Sequence, residues 1–209
     1  MDIIREACVG NYKEAKRAYE LGADRIELCD NLMEGGTTPS YGTILQAKKN
    51  LNFNISVIIR PRGGNFVYTE EEISIMEKDI ELCKKTEVDG VVFGVLTEDN
   101  KIDEEKNKRL IEKAEGLDIT FHMAFDEIEN SEEAIDTLVR LGVSRILTKG
   151  GKDKAINNLD KLKELVECAG DDITILAGGG VTKDNYMEII NKTGIKEVHG
   201  SKIVGDLKK

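Results

Sequence analysis

Short apolar runs rich in β-branched residues alternate along this chain with longer stretches in which apolar positions recur every three or four residues. The short runs read as strands and the longer stretches as amphipathic helices, and their regular alternation predicts a parallel sheet assembled from strand-to-helix units. Eight strands are expected, over Ile3–Cys8, Arg25–Cys29, Ile55–Arg60, Gly90–Val95, Ile119–Ala124, Arg145–Thr148, Thr174–Ala177 and Glu197–Gly200. Seven helices lie between them. The clearest covers Thr69–Thr86, where Thr69 and Glu72 supply a T-x-x-E capping box and Ile73, Met76, Ile80 and Cys83 fall on one face, which makes Cys83 a core residue.

Two fragments echo each other. LGADRIEL at Leu21–Leu28 and LGVSRILT at Leu141–Thr148 each run from a glycine helix stop into a strand, opening the second and the sixth strands. A weaker echo links VDGVVFG at Val88–Gly94 with IKEVHG at Ile195–Gly200, in the fourth and eighth strands. Both echoes are offset by half of an eight-unit ring, so the fold class expected is α/β, a single-domain (β/α)8 TIM-type barrel. An open doubly wound sheet shares the alternation but usually needs fewer units. Nine residues follow Gly200, too few for a full eighth helix. The barrel is therefore expected to be partly uncovered there, with a partner subunit of a homo-oligomer over the gap.

Composition narrows the partners. With 209 residues and 40% apolar content, one domain with a substantial core is expected. A formal net charge of -10 argues against nucleic acid or an anionic membrane as the main partner, since both are polyanions. No apolar run approaches the roughly 18–20 residues of a membrane span, and MDIIREACVG lacks the features of a signal peptide, so a cytoplasmic protein is expected. Cys8, Cys29, Cys83 and Cys168 form neither a CxxC pair nor a zinc-finger spacing. They read as free thiols in a reducing compartment.

Chemistry in such barrels lies at the carboxyl ends of the strands. Both histidines of the chain, His122 and His199, fall there, as do Glu6, Glu27, Arg60, Thr148 and, just beyond, Asp126. Charged groups inside a strand are costly unless they face a polar mouth, so Glu27 and Arg60 are expected in a pocket, unless with Glu6 they form an ion-pair network plugging the barrel. RPRGG couples Arg60 and Arg62 to a flexible turn suited to a carboxylate or phosphate. AGGG, with Gly178, Gly179 and Gly180, follows the seventh strand, and HGS, with Ser201, follows the eighth, where many barrels bind phosphate through main-chain N–H groups. No G-x-S-x-G is present, and no thiol lies near a histidine in sequence.

The stretches ADRIELCDNLMEGGTTPSYG, VIIRPRGGNFVY, DGVVFGVLTEDNKID, ITFHMAFD, RILTKGG, ILAGGGVT and EVHGSK occur in an order that resembles the copper homeostasis protein CutC family over essentially the full length. The resemblance implies a TIM-type barrel, a cytoplasmic location and a link to copper handling. Copper(I) is a soft ion that favours thiolate and imidazole, so Cys8 and Cys29, at matching family positions, are the expected metal ligands. Where the family usually reads FHRAFD this chain has FHMAFD, so Met123 stands in place of an arginine. The other expectation is an enzyme acting on a small anionic or phosphorylated metabolite. In that reading Arg60, Arg62 and the AGGG turn clamp the anion, Glu27 or Glu6 acts as base, and His122 or His199 as acid or electrophile, with Asp126 close by. A structural barrel working through a partner surface is a third possibility.

Overall fold

A computed structural model of the chain describes residues 3–208. Eight parallel strands close into a barrel in sequence order: β1 Ile4–Val9, β2 Arg25–Leu28, β3 Asn54–Ile58, β4 Gly90–Phe93, β5 Asp118–Phe121, β6 Arg145–Thr148, β7 Thr174–Ala177 and β8 Glu197–Gly200. β8 returns to β1 in a register that sets Glu6 beside His199, and β1 meets β2 with Cys8 beside Glu27. Seven helices ring the barrel: α1 Tyr12–Glu20, α2 Tyr41–Asn50, α3 Glu70–Lys85, α4 Glu104–Lys113, α5 Ser131–Leu141, α6 Leu159–Ala169 and α7 Tyr186–Thr193. The doubly wound alternative is excluded by closure, since every strand has two strand neighbours.

The α3 capping box forms as its residues require. Thr69 accepts from the Glu72 amide while Glu72 accepts from the Thr69 amide, and Ile73, Met76, Ile80 and Cys83 are buried. Gly22 and Gly142, the glycines of the longer echo, both take the left-handed conformation, at φ 77° and 82°.

Alternation along the strands divides the core in two. Ala7, Val9, Ile26, Leu28, Ile55 and Val57 point outward into the apolar layer beneath the helices. The residues between them, Glu6, Cys8, Arg25 and Glu27, face the barrel interior. That interior is consequently polar, and its charges are paired: Arg25 donates to Glu6 and, at 2.5 Å, to Glu197, and Arg145 lies 3.2 Å from the same Glu197. The two arginines occupy equivalent places in the echoed fragments.

Two expectations change. β2, β3, β4 and β5 end one to three residues sooner than the apolar runs imply, so Cys29, Arg60 and His122 begin loops rather than finish strands. Local side-chain bonds compete with the ladder there: the Arg60 amide donates to Thr38 Oγ1, and His122 Nδ1 accepts from Ala124 N to cap a 3-10 turn at Met123–Glu127. The segment 201–208 contains no helix, yet it does not leave the barrel bare. Ile203 and Leu207 tuck into the core of the same chain.

Candidate functional site

A cavity of about 640 Å³ opens at the carboxyl ends of the strands. Its floor is made by Cys8 from β1 and by Glu27 and Cys29 from β2 and the residue after it. The Cys8 and Cys29 thiols lie 3.6 and 3.4 Å from Glu27 Oε2, and the three donor atoms all fall within 4.8 Å of one another. Glu27 and Cys29 are buried, whereas Cys8 keeps an accessible edge.

His199 stands beside this group. Its Nδ1 meets Glu6 Oε1 at 2.7 Å and its Nε2 lies 3.7 Å from Glu27 Oε2. Burial alone would depress the imidazolium, but bonds to Cys8 and Glu6 outweigh it and push the group well above its ordinary range. Burial also opposes ionisation of Glu6, yet Arg25 and then His199 hold that carboxyl down to about 2. Glu27 goes the other way: burial pushes it up to about 8, against the pull of His199. The bond from Cys29 holds the Cys8 thiol below its usual range, and the same bond, with burial and Glu27, raises Cys29. Of two adjacent thiols, Cys8 is therefore the one disposed to carry the negative charge.

The loop 30–37 forms one wall. It is closed by an antiparallel bridge between Asp30 and Thr37 and pinned by Arg60, whose Nη1 donates to the Glu34 and Gly36 carbonyls at 2.8 Å and whose Nη2 donates to Gly64 O at 2.8 Å. Arg60 lines the cavity, but its guanidinium is largely spent on main-chain carbonyls and stacks 5.2 Å from the Phe66 ring. Phe66 also packs on His122, with ring centroids 4.8 Å apart. Burial, then Arg60, lower His122 to about 3, so the ring is neutral, and its Nε2 has no hydrogen-bond partner among the described residues. Met123 lines the same side.

The opposite wall comes from the ends of β7 and β8, with Gly179, Gly180 and Ser201 among its residues. Gly178 sits immediately behind this wall, where an added Cβ would come within 2.6 Å of Leu147 Cδ1 and 2.7 Å of Met123 Cε. Only glycine lets the β7 end approach so closely.

Besides Gly178, three of the residues singled out in the sequence stand elsewhere. Glu6 lies beneath the floor, in the ion-pair network of the barrel interior. Arg62 points away, with Nε 2.5 Å from Glu72 Oε1 and its guanidinium over the Tyr68 ring. Asp126 ties two loops together, accepting from Thr148 Oγ1 at 2.5 Å and from the Lys149 amide. Conversely, Phe66, Lys154 and Lys202 line the cavity and were not evident from the sequence, nor was Arg25, which holds Glu6 beneath the floor. Arg25 had one usable signal, its repetition as Arg145 in the echoed fragments. The two lysines lie in loops and had none.

Comparison with known proteins agrees with this architecture. The model of the CutC family matches residues 3–204. A family protein CutC of Enterococcus faecalis is 48% identical over 209 residues, covering 97% of this chain and 100% of the relative. A human copper homeostasis protein cutC homolog is 43% identical over 198 residues, covering 95% of this chain and 72% of the relative. The crystal structure of a CutC protein from Streptococcus agalactiae superposes with a TM-score of 0.93 at 45% identity, over 96% of this chain and 99% of that one. An aldolase barrel at 12% identity, with a TM-score of 0.72, shares the fold alone. A family model spanning nearly all of the barrel, and relatives close to half identical along its length, establish that the chain belongs to the CutC family of copper homeostasis proteins.

Proposed function

We propose that the protein binds one copper(I) ion directly, between the thiolates of Cys8 and Cys29, with the Glu27 carboxylate as a third, weaker donor. The observation that carries this reading is the clustering of the three donor atoms within 4.8 Å at the floor of an open cavity. Metal–sulfur bonds of about 2.3 Å reach across such a gap without movement of the strands. Two sulfurs and one buried oxygen suit a soft, low-coordinate ion better than a hard one. A reducing cytoplasm is the setting proposed, because Cys8, Cys29, Cys83 and Cys168 are all free.

The chain itself supplies the rest of the site. Cys8 is the more readily ionised thiol and would be the leading ligand, with Cys29, one residue past β2, as the second. Arg60 holds the loop that follows Cys29, so the position of the second ligand depends on the three main-chain carbonyls this guanidinium grips.

Anaerobic copper(I) titration against a competing chelator tests the proposal. Wild type and the Cys168→Ser control are expected to bind one equivalent, and Cys8→Ser combined with Cys29→Ser to lose it. Equal and weak binding by all three proteins would sink the reading.

A further inference from the structure

The cavity is much larger than a metal ion requires. About 640 Å³ falls within the span of roughly 300–1,000 Å³ common for small-molecule pockets, and the thiol cluster takes up only its floor. Across from that floor, the main-chain amides of Gly179, Gly180, Val181 and Ser201 donate to no protein acceptor among the described residues. Gly179 and Gly180 adopt φ of 80° and 77°, a conformation that keeps this turn open at the strand ends. Lys154 and Lys202 border the same wall, and neither forms an ion pair within 4.0 Å among the described residues. The chain carries a net charge of -10, yet Glu27 is the one acidic residue among those lining the cavity, against Arg60, Lys154 and Lys202. The mouth is therefore a local cationic funnel on an acidic protein.

A second feature points to an occupant. His122 Nδ1 accepts from Ala124 N at 3.2 Å, which makes Nε2 the protonated nitrogen. That donor is buried and unpartnered among the described residues, and His122 lines the cavity. A buried donor without an acceptor is costly, and a ligand that brings an oxygen atom to His122 Nε2 accounts for it.

From these features we infer that the barrel mouth binds a small phosphate monoester. Its phosphoryl oxygens sit on the free amides of Gly179, Gly180, Val181 and Ser201 between Lys154 and Lys202, and its body lies against Phe66 with a hydroxyl or carbonyl oxygen accepting from His122. Clustered main-chain N–H groups with flanking ammonium groups are the chemistry that holds a phosphate dianion. The site shares the cavity with the thiol cluster but uses none of its atoms, so it stands or falls independently of copper binding.

Calorimetric titration of the metal-free protein with glycerol 3-phosphate, inorganic phosphate and glycerol tests the inference. Glycerol 3-phosphate is expected to bind, inorganic phosphate more weakly, and glycerol not at all. Combining Lys154→Ala with Lys202→Ala, both exposed positions, should weaken the ester at least tenfold and leave the melting temperature unchanged. Cys8→Ser with Cys29→Ser should leave ester affinity intact, which separates a failure of the copper reading from a failure of this one. His122→Phe should erase the advantage of the ester over inorganic phosphate. No binding of the ester, or undiminished affinity in the lysine variant, would overturn the proposal.

Discussion

Replacing Arg25 by methionine keeps the aliphatic stem and removes the guanidinium that joins Glu6 to Glu197 inside the barrel. The three side chains are only 8%, 2% and 14% exposed, so water does little to replace the lost partner. Glu6 is held at about 2 against an ordinary 4.5, and at roughly 1.4 kcal/mol per unit this amounts to roughly 3 kcal/mol in favour of the folded, ionised state at neutral pH. Arg25 is the largest favourable contributor and His199 the next. Breaking the pair from one side therefore costs about 3–5 kcal/mol. Because folding lowers this carboxyl, its contribution is complete above the unfolded value and is lost as the pH falls toward 2. Between pH 7 and pH 3.5 the difference between wild type and Arg25→Met should narrow by roughly 1 kcal/mol or more. Urea denaturation at both pH values, with Glu6→Gln and the double variant completing the cycle, measures it. A cost below about 1 kcal/mol at pH 7, or a difference that does not shrink in acid, would refute the reasoning.

Thr69→Ala removes one half of the α3 capping box and is expected to cost about 1 kcal/mol in denaturant titration, with no effect on copper stoichiometry. Gly178→Ala forces a methyl into Leu147 and Met123. Overpacking of this kind costs about 1–3 kcal/mol, visible as a lowered melting temperature, and any anion affinity at the mouth should fall with it. Arg60→Lys cannot grip three carbonyls from a planar fork, so amide exchange in loop 30–37 should speed up, and the proposed copper(I) affinity should drop although both thiols remain. Unchanged exchange in that loop would show that other contacts hold it.

Much of the scaffold was legible in the chain because it rests on short-range rules. Alternating periodicities gave eight strands and seven helices, Thr69 and Glu72 placed the start of α3, and the glycine-to-strand echoes pointed to an eight-unit ring. Strand ends were less legible: the Cys29 and His122 amides still donate to Val9 O and Phe93 O of the neighbouring strands, but the strands stop before them, and at His122 the chain turns through a bond from Ala124 N to Nδ1 that apolar runs do not encode.

The residue types and their places at strand ends are properties of the sequence, but which of them meet is a property of closure and register. Cys8 and Glu27, 19 positions apart, are neighbours because β1 pairs with β2 in that one alignment, and Glu6 reaches His199, 193 positions away, only because β8 closes on β1. Arg60 and Arg62 look alike in RPRGG. One turns to the main chain at the cavity wall and the other to Glu72 on α3, a division set by neighbours far along the chain. The local sequence thus chose the barrel and stocked its mouth with sulfur, carboxylate, imidazole and glycine. Only the tertiary structure decided which atoms stand within bonding reach, because a one-residue change in register would turn every one of these side chains to the opposite face.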